Sequence, residues 1–118
     1  MHNISRWSRG GLVTLMLSLH MAGLVAAEVS EALSKTYYEF EVAGYCGLVT
    51  DRIATGFRSA AHRIIDREGI DDNGLQAARM HAWKAAHAEW QNRGLGGFKN
   101  WCRTEGKAAA DRFESLSQ

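Results

Sequence analysis

Apolar residues recur every three or four positions along most of the chain, and the sequence contains no proline. That spacing places them on one face of an α-helix. Proline, which would break a helix interior, never interrupts the pattern. No stretch alternates with period two for long enough to predict a strand. The sequence therefore predicts an all-α fold, a small three- or four-helix antiparallel bundle.

Local signals predict where the helices begin and end. Ser30 is a suitable N-cap for the first helix, and Gly69 is a suitable residue to end the second. Asn73 and Gln76 have the spacing of a capping box at the start of the third. Whether the apolar residues from Leu33 to Gly44 and those from Val49 to Ile64 belong to one bent helix or to two helices stays open. The third helix is predicted to run through residues 77–93 to Gly94. The apolar stripes of the other helices comprise Leu33, Tyr37, Phe40 and Gly44; Val49, Ile53, Phe57, Ala60 and Ile64; and Phe98, Trp101, Cys102, Ala109, Phe113 and Leu116.

The first 27 residues have the pattern of a cleaved secretory signal peptide. Arg6 and Arg9 precede an apolar run over residues 11–27, which ends in the small residues Val25-Ala26-Ala27. The alternative is a retained N-terminal anchor, but a membrane span needs about 20 consecutive apolar residues, and this run is shorter and contains His20. We expect cleavage after Ala27 and a periplasmic or secreted protein.

Residues 28–118 are expected to form a single helical domain. Removal of Arg6 and Arg9 leaves 12 of the 14 basic residues against all 13 acidic ones, a net charge of −1. No block of like charges occurs. This balance argues against a nucleic-acid partner and against binding to an anionic membrane surface.

The chain has two cysteines, Cys46 and Cys102. In a small exported domain, two cysteines are most simply explained by one disulfide. The alternative is a reactive thiol or metal-ligand pair, but the chain has no CxxC spacing. The sequence predicts that a Cys46–Cys102 bridge staples the bundle.

The stretch RGLGGFKNWCRTEG, residues 93–106, admits two interpretations. Glycines before a helix can cradle a phosphate, but such loops follow a β-strand, and none is predicted here. We favour a corner, in which Gly94 ends one helix and Gly96-Gly97 permits a tight reversal. The acidic stretch DREGIDDNG, residues 66–74, fails the spacing of a calcium loop and fits a capped turn better.

The richest segment chemically is MHAWKAAHAEW, residues 80–90. Met80, Trp83, His87 and Trp90 share one helix face, beside an alanine-rich flank that would let another helix approach closely. The face could bind a partner or a flat ligand, or it could be ordinary core. Aromatic stripes at helical spacing are usually core, which is the interpretation that the pattern favours. Trp101 is expected near the surface end of this face.

No catalytic, metal or cofactor motif is recognisable. His81 and His87 are about 120° apart on a helix and cannot bind one metal together, and His62 alone does not complete a zinc site. Glu39 and Glu41 point about 200° apart and are not an acid–base pair. We predict no metal and no cofactor, and an enzyme is the less favoured class.

The function expected from these features is non-enzymatic binding. We predict a small exported accessory protein of the cell envelope, acting as a subunit, inhibitor or chaperone with a protein partner. The alternative is a carrier of a small ligand such as haem, which would use the Trp83–His87–Trp90 face. The candidate site residues are therefore the four that can form this surface: Trp83, His87, Trp90 and Trp101.

Overall fold

Residues 28–118 are the part of the chain that the computed structural model describes. Within this range there is no strand, and the helices are α1 (Glu31–Tyr45), α2 (Asp51–Glu68), α3 (Asp72–Asn92), α4 (Gly94–Trp101) and α5 (Lys107–Ser115). A π-helical turn, Cys102–Gly106, joins α4 to α5, so the two form one continuous fourth helix. The predicted signal peptide, residues 1–27, lies outside the described residues.

The ends of α1 and α2 follow the predicted signals. Ser30 caps α1, because its hydroxyl accepts a hydrogen bond from the Leu33 N–H at 3.2 Å. Gly69 ends α2 in the left-handed conformation, at φ 62°, which glycine adopts without strain. The stripes that could have formed one bent helix are two helices, and α2 begins at a Thr50 cap. Val49, assigned to the second stripe, precedes the helix and is exposed.

The predicted cap of α3 is wrong by two residues. Asp71, not Asn73, accepts the hydrogen bond from the Gly74 N–H, at 2.8 Å. Both residue types cap helices about equally well. The earlier start places Ile70 just before the cap and Leu75 in the first turn, and both pack against the core. This arrangement is that of a hydrophobic staple, and it selects Asp71.

The chain changes direction between α3 and α4 at Gly94. Gly94 has φ 65°, so this one residue lets the chain leave α3 and begin a new helix. Gly96 and Gly97 lie inside α4. The corner interpretation of this stretch is therefore confirmed at Gly94, and the predicted reversal at Gly96-Gly97 is wrong.

Helix α1 lies at the centre of the bundle and packs against α2, α3 and α5. Its start meets the end of α2, where the Ser30 hydroxyl donates a hydrogen bond to Glu68. The core between α1, α2 and α5 is aromatic. Phe40 stacks on Phe57 with ring centroids 4.0 Å apart, and Phe113 meets both rings edge-on.

The predicted disulfide is confirmed. Cys46 and Cys102 are bonded, with Cα atoms 5.4 Å apart, within the normal range for a disulfide. The bridge joins the end of α1 to the π turn. Gly106 packs against the disulfide, and a side chain would not fit there, since a Cβ at Gly106 would lie 2.8 Å from the Cys46 Sγ. The small all-α bundle stapled by one disulfide is thus the observed architecture.

From residue 28 onward, no helix is both long and apolar enough to cross a membrane.

Candidate functional site

Helix α3 carries small side chains on one face and large aromatic side chains on the other. Ala78, Ala82 and Ala86 are fully buried, and α3 packs closely against α1. The predicted role of the alanine-rich flank is therefore confirmed. The aromatic face points the other way, with Trp83 46% exposed and Trp90 43% exposed. The expectation that this face is core is wrong.

Four side chains form what we call the aromatic cluster: Tyr45, Trp83, His87 and Trp90. The Trp83 and His87 rings are nearly parallel, 12° apart, with centroids 5.0 Å apart. Tyr45 stacks on Trp90 at 5.5 Å and 20°. The His87 ring is 5.4 Å from Trp90, so it is flanked by both indoles. Because each ring packs on another, the tryptophans lose little freedom when a partner binds them.

A hydrogen bond across two helices fixes the centre of the aromatic cluster. The Tyr45 hydroxyl and the His87 Nδ1 are 2.9 Å apart. Burial, and to a smaller extent the negative charge of Glu41, raises the pKa of Tyr45 above its ordinary value. The phenol is therefore neutral near pH 7. This bond joins the end of α1 to the outer face of α3.

Trp101 supports the aromatic cluster from beneath and takes no part in its exposed surface. It is fully buried, and its ring centroid lies 6.2 Å from that of Tyr45. The guanidinium of Arg93 covers the Trp101 ring at 5.3 Å and forms an ion pair with Glu89 at 2.6 Å. The expected position of Trp101 at the surface end of the face is therefore wrong.

The exposed surface on α3 extends beyond the tryptophans. Met80, one turn before Trp83, is 54% exposed. Arg79 lies on one side of this stripe and Lys84 on the other. Neither cation has a carboxylate oxygen of residues 28–118 within 4.0 Å of its side-chain nitrogens. We call the stripe Met80, Trp83 and Trp90 the exposed α3 face.

The remaining sequence motifs have structural roles. Asp71 of the acidic stretch caps α3, and the glycine-rich stretch begins α4 directly after α3. His81 and His62 are exposed and lie outside the aromatic cluster. Among the described residues, no group of three or more histidine, cysteine, aspartate or glutamate side chains could hold a metal ion.

Sequence patterns did not reveal two residues of importance at these sites. Tyr45 has no motif of its own, although its place one turn after Glu41 on α1 puts it on the side that meets α3. Glu105, which accepts a hydrogen bond from the indole N–H of Trp101, has none either, because this contact depends on the π turn. Gly106, four residues after Cys102, is the sequence signal for that turn, and a single glycine inside a helix does not by itself specify a wider turn.

The chain was compared with family models, curated proteins and solved structures, and none of them matches it.

Proposed function

We propose that this protein is a non-enzymatic binding protein of the cell envelope that engages a protein partner through the exposed α3 face. The observation that carries the proposal is the exposure of Trp83 and Trp90 on a rigid helix. Tryptophan is among the residues that most often dominate binding energy at protein interfaces. Large apolar side chains grouped at the surface of a small domain mark interaction sites more often than isolated ones do.

The charges beside this face favour a partner of a particular kind. Arg79 and Lys84 flank the stripe without an ion pair in the described part of the chain. A complementary surface would carry an apolar centre with carboxylates on both sides of it. Such charges raise the association rate and specify orientation, while the buried aromatic contacts provide most of the affinity.

The cellular location is part of the proposal. Support comes from the signal-peptide pattern of residues 1–27 and from the disulfide, which persists in oxidising compartments such as the periplasm or the extracellular space. An accessory subunit, an inhibitor and a chaperone would each use an exposed aromatic surface.

The test compares two sets of exposed apolar side chains in the same protein. Tagged wild type, the double variant Trp83→Ala/Trp90→Ala and the control Val49→Ala are purified from the envelope of the native host. Val49 is 40% exposed and lies outside the aromatic cluster, so it matches the tryptophans in exposure. A partner should co-purify with wild type and with Val49→Ala and be lost with the double variant.

Affinity then confirms the contact. With the purified partner, the double variant should bind at least 100-fold more weakly by calorimetry, since interface tryptophans often contribute about 2 kcal/mol or more each. The double variant should remain folded and lose no more than about 2 kcal/mol of stability, since both side chains are nearly half exposed. Retention of the partner by a folded double variant would refute the proposal.

The second candidate, a carrier of a small ligand such as haem, is favoured by one contact. The His87 Nδ1 is engaged by Tyr45, and metal-ligating histidines commonly hydrogen-bond through the ring nitrogen that does not bind the metal. Against it, both indoles lie on the His87 ring and would have to move. An ultraviolet–visible spectrum of protein purified from the native envelope distinguishes the two, because bound haem absorbs strongly in the visible range.

A further inference from the structure

A groove of about 400 Å³ lies between α1 and the fourth helix, apart from the aromatic cluster. Its floor is apolar and is formed by Val42 of α1 with Ala108 and Ala109 of α5. Its volume is within the range of sites that bind small organic molecules. We call it the α1–α5 groove.

A carboxylate held by two hydrogen-bond donors stands at one end of this groove. The Trp101 indole N–H donates to the Glu105 Oε2, and the Tyr38 hydroxyl donates to the same oxygen at 3.4 Å. No cation of residues 28–118 lies within 4.0 Å of the Glu105 carboxylate. Its charge is therefore oriented by neutral donors and remains uncompensated by an ion pair.

The backbone that carries Glu105 is unusually constrained. Glu105 belongs to the π turn, which the disulfide ties to α1 at Cys102 and which Gly106 packs against Cys46. Single π turns within helices occur frequently at functional sites. A binding group on such a segment keeps its position without any cost of ordering a loop.

The other charges on the groove wall leave Glu105 as its one available anion. Arg112 lies on the wall and is paired with Glu39 at 2.5 Å, which neutralises both groups. Lys35 also lies on this wall, on α1 one turn before Tyr38, and forms no ion pair within residues 28–118. A ligand whose cation meets Glu105 can place its uncharged body over the apolar floor, so that no second positive charge meets Lys35.

We propose that the α1–α5 groove binds an organic cation, a primary ammonium on a short apolar body, with the ammonium at Glu105. The ammonium would donate charge-assisted hydrogen bonds to the carboxylate, which are about twice as strong as neutral ones. The alkyl or aryl body would cover Val42, Ala108 and Ala109. A neutral analogue loses the charge-assisted bonds, and an anionic analogue is repelled.

The Trp101 indole N–H gives a direct spectroscopic test, because it is bonded to the carboxylate that the ammonium would meet. Hexylamine, which is protonated at pH 7, is titrated into ¹⁵N-labelled oxidised protein, with hexanol and hexanoate as matched probes. We expect the Trp101 indole signal to shift and to saturate with hexylamine, while those of Trp83 and Trp90 stay in place. Hexanol and hexanoate should bind at least tenfold more weakly. An unsaturable response to hexylamine, or equal binding of hexanol, overturns the proposal.

Two variants separate the carboxylate from the groove. Glu105→Gln keeps an oxygen for Trp101 and removes the charge, and it should weaken hexylamine binding at least tenfold. Ala108→Leu leaves Glu105 in place and fills the floor, and it should abolish binding as well. Ala108 is exposed, so this change leaves the core intact. Wild-type affinity in either folded variant contradicts the assignment. The partner experiment on the exposed α3 face is independent of both results.

Discussion

Gly56 marks the closest approach between two helices of the bundle. A Cβ added at Gly56 on α2 would lie 1.7 Å from the backbone oxygen of Phe113 on α5. Ordinary contact between heavy atoms is about 3.5 Å, so Gly56→Ala must separate the two backbones by roughly 1.5 to 2 Å. The atom in the way belongs to a backbone and cannot rotate aside. Phe113, which is fully buried, would move with it.

The size of the effect follows from two opposing terms. Overpacking a core costs about 1–3 kcal/mol and occasionally more, and a rigid backbone obstacle places Gly56→Ala at or above the upper end. Alanine recovers up to about 1 kcal/mol through its higher helix propensity. We expect a net loss of about 2–3 kcal/mol. For a domain of this size, that corresponds to a fall in melting temperature of roughly 10–20 °C.

Gly44→Ala is the matched control. Gly44 lies in α1, and a Cβ there meets nothing within 4 Å. The same substitution should therefore leave stability unchanged or raise it by up to about 1 kcal/mol. Urea and thermal unfolding of both oxidised variants, followed by circular dichroism, measures the difference. If Gly56→Ala melts within a few degrees of Gly44→Ala, α2 and α5 do not cross at so short a distance.

Three further predictions test the disulfide, the burial of Trp101 and the charge of Glu105. The oxidised protein should weigh two hydrogens less than the dithiol, and its reduction should cost about 4 kcal/mol in the chain-entropy treatment, seen as a large fall in melting temperature; a fall of only a degree or two would contradict that treatment. Trp101→Ala should cost about 3–5 kcal/mol, and Trp83→Ala about 1 kcal/mol or less in urea unfolding, because only the first side chain is fully buried; equal losses would contradict the assigned burial. Burial first, and the charge of Glu105 second, raise the pKa of Tyr38, so the stability it contributes is complete below its ordinary pKa of about 10 and is lost as the pH rises through the raised value. Glu105→Gln should move the ultraviolet titration of Tyr38 to lower pH, and an unchanged titration would exclude the Glu105 contribution.

Local chemistry made much of the fold predictable. Ser30 and Gly69 lie at helix ends and act through bonds or conformations confined to a few residues, so their roles can be read without knowing the tertiary structure. The disulfide was predictable because the chain has only two cysteines. Asn73 was misassigned as a cap because the choice between it and Asp71 depends on which hydrophobic residues reach the core.

The π turn and the groove could not be predicted, because they depend on contacts between distant residues. Glu105 meets Tyr38, 67 positions earlier in the chain. Its register depends on a disulfide and on the packing of Gly106 against Cys46. Helical periodicity continues through residues 94–115 and gives no sign that one turn of this helix is wider than the others.

The orientation of α3 shows most clearly what periodicity leaves undetermined. The alanines of α3 recur every four positions, and the aromatic residues recur every three or four, so both sets satisfy the pattern of a buried helix face. The choice depends on the neighbouring helix. Small side chains let α1 approach closely, and Ser34 of α1, also buried, lines the same groove as Ala82. Had the indoles of Trp83 and Trp90 faced α1, they would have held the helices apart and left the alanines in water, where they would contribute little burial. Close packing through alanine therefore places the tryptophans outside, where Tyr45 at the end of α1 stacks on Trp90 and Trp90 stays 43% exposed to a partner.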